Sequence, residues 1–170
     1  MRKACLIVSL LLTIIISSSA SEILEINQEQ KDEVSITNNI DIAIKKFINI
    51  EEKKNKAPIE INKIIIGDIN NDGKEDQLVQ YNVNIGNPGN ASILYIAAFL
   101  NLNGKFKFQT KMEAGNFGTA TGRQLSLDKI ENGVIYCKVY EYASTDGVCC
   151  PSIQKLAEYR FTNKKFYQIF

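Results

Sequence analysis

Asp68, Asn70, Asp72 and Asp76 are spaced through Gly67-Asp68-Ile69-Asn70-Asn71-Asp72-Gly73-Lys74-Glu75-Asp76 so that a short loop can turn all four side-chain oxygens toward one point. Counted from Asp68, they occupy the first, third, fifth and ninth places, and Gly73 at the sixth supplies the sharp turn. Lys74, at the seventh place, contributes only its backbone carbonyl. This donor set suits a hard cation, and the cation predicted is Ca²⁺ in a structural role. The twelfth place, a bidentate Glu in an EF-hand, is Val79, and the residues after it alternate like a strand. A helix-loop-helix sensor is therefore not expected. Three carboxylates predict an affinity on the order of 10⁻⁴ to 10⁻³ M. The competing reading of the same residues is an ion-free turn held by Asx hydrogen bonds.

The stretch resembles the Asp-x-Asn-x-Asp-Gly-x-x-Asp loops of FG-GAP and related secreted modules. That resemblance covers about ten residues and implies a structural calcium loop between strands, not an activity.

Cysteine supplies the second chemistry. Cys137, Cys149 and Cys150 follow the N-terminal segment, and Cys5 lies within it. In an oxidising compartment a disulfide is expected. A vicinal Cys149–Cys150 bridge is one pairing and leaves Cys137 as a buried thiol. The other joins Cys137 to Cys149 or Cys150 and closes a loop worth roughly 2–3 kcal/mol. Hairpin register places Cys137 opposite a residue near Tyr159, which disfavours the second pairing. The third candidate surface is aromatic, with Tyr136, Tyr140 and Tyr142 on one side of a strand and Lys138 between them.

The chain has no histidine. That removes Ser-His-Asp and Cys-His catalysis, His-ligated zinc and the usual proton shuttle near neutral pH. An enzyme would have to work through a thiolate at Cys149 or Cys150, or through carboxylates such as Glu113, Asp128, Glu141 and Asp146, which nothing in the sequence pairs. The reading leans away from an enzyme.

These groups must be positioned by elements, and the first segment sets the compartment. Met1-Arg2-Lys3 is basic, Ala4 to Ile16 is apolar apart from Ser9 and Thr13, and Ser17 to Ala20 are small. This is the pattern of a signal peptide over 1–20. Its apolar run is shorter than the roughly 20 residues of a membrane span. Cys5 stands at the head of that run and not after it, so it is not a lipid-attachment cysteine. The mature chain is expected to begin at Ser21, without Met1 or Cys5, in the periplasm or outside the cell, with no membrane span left after cleavage. Loss of Arg2 and Lys3 from the 20 basic residues leaves 18 against 19 acidic ones, a net charge of −1. Without a basic excess, nucleic acid is not an expected partner.

Residues 21–37 read as a polar leader and 38–170 as a single domain. Ile40, Ala43, Ile44, Phe47 and Ile48 recur at helical spacing and predict an amphipathic helix over about 39–54, capped by Asn38 and ended before Pro58. The period then becomes two. Lys63 to Ile69 reads as a β-branched strand. Val79, Tyr81, Val83 and Ile85 alternate with Gln80, Asn82 and Asn84, giving one buried and one wet face. Gly86 to Asn90 reads as a turn, Gly115 to Gly122 as a glycine-rich loop, and Asn103-Gly104 and Asn132-Gly133 as hairpin turns. With no helix-length crossovers, the strands predict an α+β fold. An antiparallel meander sheet of about seven strands would carry the N-terminal helix on one face.

The C-terminal half, with Gly122-Arg123, Leu127, Ile130, Gly133-Val134-Ile135, Asp146-Gly147-Val148-Cys149-Cys150-Pro151-Ser152 and Tyr159, resembles a group of bacterial exported proteins and lipoproteins. In that group an Asp-x-Asn-x-Asp-Gly stretch precedes a late Asp-x-x-Cys-Cys-Pro-Ser motif. The match runs over roughly Ile64 to Phe170. Two departures stand out, the missing lipid-anchor cysteine and Gly147-Val148 where relatives have a proline-containing dipeptide. The resemblance implies export and fold and carries no activity with it. The expected function is that of an exported envelope binding module for an unknown protein or glycan ligand, stabilised by Ca²⁺ and a disulfide. The alternative is an inhibitor of an extracellular hydrolase that presents the Ser144 to Ser152 loop as a wedge.

Overall fold

The computed structural model describes residues 39–85, 91–117, 122–147 and 150–170. The chain divides into two units, Met1–Asn39 and Ile40–Phe170, and the elements below belong to the second. Helix α1 covers residues 39–55, close to the predicted span. Its apolar stripe is what it buries: Ile40, Ile44 and Phe47 are all within the core. The cap expected at Asn38 and the leader 21–37 lie outside the described residues, as do the signal segment and the turn at 86–90.

Eight strands follow. They are β1 (Ile59–Gly67), β2 (Asp76–Asn84), β3 (Ser92–Leu102), β4 (Lys105–Phe117), β5 (Arg123–Glu131), β6 (Val134–Glu141), β7 (Ile153–Thr162) and β8 (Lys165–Gln168). All pairings are antiparallel, as expected without crossovers. The predicted single meander is corrected, because the strands form two four-stranded sheets, β1-β2-β3-β4 and β5-β6-β7-β8. The break falls between β4 and β5, where the glycine-rich segment lets the chain change sheet. Gly115 (φ 133°) and Gly122 (φ 127°) adopt backbone that L side chains rarely take. A Cβ on Gly115 would lie 2.3 Å from the Arg123 carbonyl oxygen, so the end of β4 meets the start of β5 backbone against backbone. The first strand also begins earlier than predicted and ends at Gly67.

Two cores result, arranged as helix, sheet, sheet. On one face of the first sheet, Val79, Tyr81, Val83, Ala97 and Phe99 pack against Ile40, Ile44 and Phe47 of α1. On the other face, Leu78, Leu94, Ile96, Ala98 and Ala114 pack against Leu125, Leu127, Ile135, Cys137, Val139, Ala157, Tyr159 and Phe161 of the second sheet. The expected helix-on-sheet packing is present. The wet face predicted for β2 is not. Gln80 keeps only 5% of its exposure, because the second sheet covers it.

The hairpin turns match their sequence signals. Asn103 (φ 57°) and Gly104 (φ 80°), and Asn132 (φ 51°) and Gly133 (φ 70°), have the paired positive φ values of type I′ turns. Asn163 and Lys164 adopt the same pair at the β7–β8 turn. Among the described residues, no helix is long and apolar enough to cross a membrane.

Candidate functional site

The carboxylate-rich stretch is the connection from β1 to β2, held at both ends by strand pairing, with Gly67 opposite Asp76. Ile69 anchors it from within, at 1% exposure in the inter-sheet core. The remaining side chains curl over the turn. Asp72 N–H donates to Asp68 Oδ1 and to Asn70 Oδ1 (both 3.1 Å), and Gly73 N–H donates to Asp68 Oδ2 (2.8 Å). Lys74 N–H donates to Asp72 Oδ1 (3.0 Å), and Asn70 Nδ2 donates to Asp72 Oδ2 (3.2 Å). Asn71 (φ 59°) and Gly73 (φ 80°) provide the left-handed backbone this path needs.

Asp76 behaves differently from the other acids of the loop. It is fully buried. Its Oδ2 accepts Ile69 N–H (3.1 Å) and its Oδ1 accepts Asn101 N–H (2.8 Å). Burial raises its pKa above the ordinary carboxylate value. The two backbone N–H groups partly offset that rise, and the negative charges of Asp72 and Asp68 add to it. Lys74 Nζ donates to Asn103 Oδ1 (2.8 Å), and Asn101 Oδ1 accepts Gly104 N–H (2.7 Å). The loop is thus stitched to the β3–β4 hairpin. Among the described residues, no group of three or more His, Cys, Asp or Glu side chains is gathered as a metal cluster. Asp68, Asn70 and Asp72 fold back on the loop backbone, and Asp76 turns toward the body.

The cysteines separate into two environments. Cys137 is a free thiol with no exposure, in the inter-sheet core, and burial pushes its pKa up to about 12. The alternative bridge from Cys137 is therefore not formed. Its strand partner is Ala157, close to Tyr159 as the hairpin register implied. Such a thiol is inert as a nucleophile at neutral pH. Cys150 is disulfide-bonded. Cys149 lies outside the described residues.

Asp146 organises the loop that leads to Cys150. Its Oδ2 accepts Ala143 N–H (2.7 Å), Ser152 N–H (2.8 Å) and the Ser152 hydroxyl (3.0 Å). These bonds hold its pKa below the ordinary value. The other acids considered for catalysis are not brought together. Asp128 faces Lys138 at 3.8 Å, Glu141 pairs with Lys155, and Glu113 is exposed.

Tyr136 and Tyr140 are half-buried on β6, with Lys129 Nζ 4.9 Å from the centre of the Tyr136 ring. Tyr142 lies just past β6, where its hydroxyl accepts Gln124 Nε2 at 3.4 Å. Leu156, the strand partner of Lys138, is 65% exposed.

Two polar arrangements had no signal in the periodicity. One ties α1 down: Glu51, buried on the helix, pairs with Lys111 and accepts the Tyr81 hydroxyl (3.3 Å), while Lys111 Nζ lies 4.2 Å from the Tyr95 ring centre. The other joins the sheets. Gln80 Nε2 donates to Leu125 O (3.1 Å), Gln80 Oε1 accepts Leu127 N–H (2.9 Å), and Lys63 Nζ donates to Leu127 O (2.7 Å). No protein family, curated protein or solved structure matches this chain.

Proposed function

We propose that the chain is an exported protein of the bacterial envelope, periplasmic or secreted, that works by binding and not by turnover, and that the Asp68–Asp76 loop is stabilised by Ca²⁺. The observation that carries the reading is the gathering of side-chain oxygens on that loop. Asp68, Asn70 and Asp72 converge on the turn at Gly73, and the pKa of Asp76 is raised mainly by burial, with the charges of Asp72 and Asp68 adding to it. Three mutually repelling carboxylates in one connection gain most from a divalent cation, which would replace backbone N–H groups as the partner of their oxygens. Asp68, Asn70, Asp72 and Asp76 would supply side-chain oxygens and Lys74 its carbonyl.

Export rests on the basic, apolar and small-residue succession over 1–20. A vicinal Cys149–Cys150 disulfide fits the buried free thiol of Cys137 and the bonded state of Cys150. The lack of histidine and the separation of the candidate acids favour binding over catalysis.

Thermal melting tests the ion. Calcium at millimolar concentration is expected to raise Tm by several degrees over the chelated protein, and Asp72→Ala to abolish the rise. Superimposable melting curves in calcium and in chelator would remove the calcium loop. One observation favours the inhibitor reading as the second choice. Asp146 ties Ala143 to Ser152 through its hydrogen bonds, so these two residues would lose little entropy on docking.

A further inference from the structure

A cleft of about 380 Å³ is lined by residues of β1, β2 and β3 of the first sheet, of β5 and β6 of the second, and by Pro151 ahead of β7. We propose that it is a binding site for a neutral sugar, held by the amide and hydroxyl groups of its wall. The argument begins with charge. Among the described residues, its lining contains no charged side chain: Asn62, Gln80, Gln124, Ser126 and Tyr140 supply the polar groups, and Leu94, Leu125 and Pro151 the apolar ones. An ion entering it would lose hydration and find no counter-charge. A ligand that both donates and accepts, and has an apolar C–H face, matches amides and hydroxyls around leucine and tyrosine. The volume lies within the range of small-molecule pockets, roughly 300–1,000 Å³, and admits a monosaccharide or disaccharide.

The wall is set before any ligand arrives. Gln80 is clamped by its two bonds to β5, and Gln124 by Nε2 donation to Asn116 O (3.0 Å) and to the Tyr142 hydroxyl. Both glutamines are about 95% buried, so their amides are fixed in direction. Asn62, Ser126 and Tyr140, by contrast, spend no side-chain hydrogen bond on another described residue. They are the groups left for a ligand.

A local irregularity puts Asn62 there. The β1–β2 register shifts between Ile61, opposite Tyr81, and Lys63, opposite Gln80. Asn62 is the extra residue of this bulge. A bulge re-aims the side chains beside it. Here Lys63 reaches the β5 backbone and Asn62 lines the cleft. In a regular strand the alternation would have left no place for both on this side.

The test is titration of the full chain with glucose, N-acetylglucosamine and maltose, with glucuronate as the charged control, followed by calorimetry and by ¹⁵N NMR. A neutral sugar is expected to bind saturably at millimolar concentration and to shift the side-chain amides of Asn62, Gln80 and Gln124 and the backbone around Ser126 and Tyr140. Asn62→Ala and Tyr140→Phe should each weaken binding about fivefold, and Ser126→Phe, which fills the mouth, should abolish it. The inference is overturned if no neutral sugar gives a saturable response, if the shifts map away from the cleft, or if glucuronate binds as tightly as glucose. Should a variant fail to fold, the shift map of the unaltered chain decides alone. The inference rests on the binding-module reading and not on the ion. Absent sugar binding with calcium stabilisation intact removes the cleft site only, and the reverse result removes the calcium loop only.

Discussion

Asp76 and Asp146 both accept two backbone N–H groups, yet their surroundings push them in opposite directions. For Asp76, burial and two neighbouring carboxylates outweigh the bonds, and its pKa rises from 3.8. For half-buried Asp146 the bonds from Ser152 and Ala143 dominate, and its pKa falls from 3.8. The pH dependences follow with opposite sign. What Asp146 adds to stability is present above about 3.8 and is lost as pH drops through its lowered folded value. What Asp76 adds is present below about 3.8 and is lost as pH climbs through its raised folded value. Acid titration followed by NMR is expected to release the Ser152 and Ala143 amides together, below the ordinary aspartate range, and Asp146→Asn to remove that step. Calcium at the β1–β2 loop should cancel the Asp76 slope and leave the Asp146 slope as it was.

Among the elements, α1 was the most legible. Its stripe at 40, 44 and 47 is the buried face, because helical spacing maps directly onto a surface. Phe47 is its anchor, with ring centres 5.5 Å from Tyr81, 5.4 Å from Phe99 and 4.6 Å from Phe108. Phe47→Ala is expected to cost about 3–5 kcal/mol. The outer face of the first sheet should then become available to a hydrophobic dye, and urea unfolding measures both. The hairpin turns were equally legible, since Asn-Gly fixes a left-handed pair by itself. β2 was not. Alternation shows only that two faces differ, not what covers each. Gln80 and Asn82 looked solvated because a second sheet, formed from strands more than forty residues away, was invisible to a local pattern. The acidic Asp68–Asp76 stretch was legible in composition, but its hydrogen bonds and the inward turn of Asp76 depend on the Asn101 hairpin and had no local signal. The cleft was hidden for a similar reason: the bulge at Asn62 appears only in the pairing of β1 with β2.

For the whole molecule, the division into two sheets makes the side chains that join them decisive. The apolar face between the sheets supplies the attraction, and Gln80 supplies registration, because its amide fits only one pair of β5 groups. Gln80→Leu keeps much of the volume but strands Leu125 O and Leu127 N–H in the interior. It is expected to cost about 2–3 kcal/mol, read as a lower urea midpoint at unchanged m. An unchanged midpoint would mean that water replaces the amide without loss. The same contact bears on how the protein meets its own kind. β5 is the outermost strand of its sheet, and such a rim ordinarily invites pairing with any extended chain. Here Gln80 and Lys63 already occupy part of that rim, so an incoming strand would have to evict two tethered ligands before it gained its first rung. Crowding of many copies in a confined compartment should therefore leave this border closed to runaway stacking.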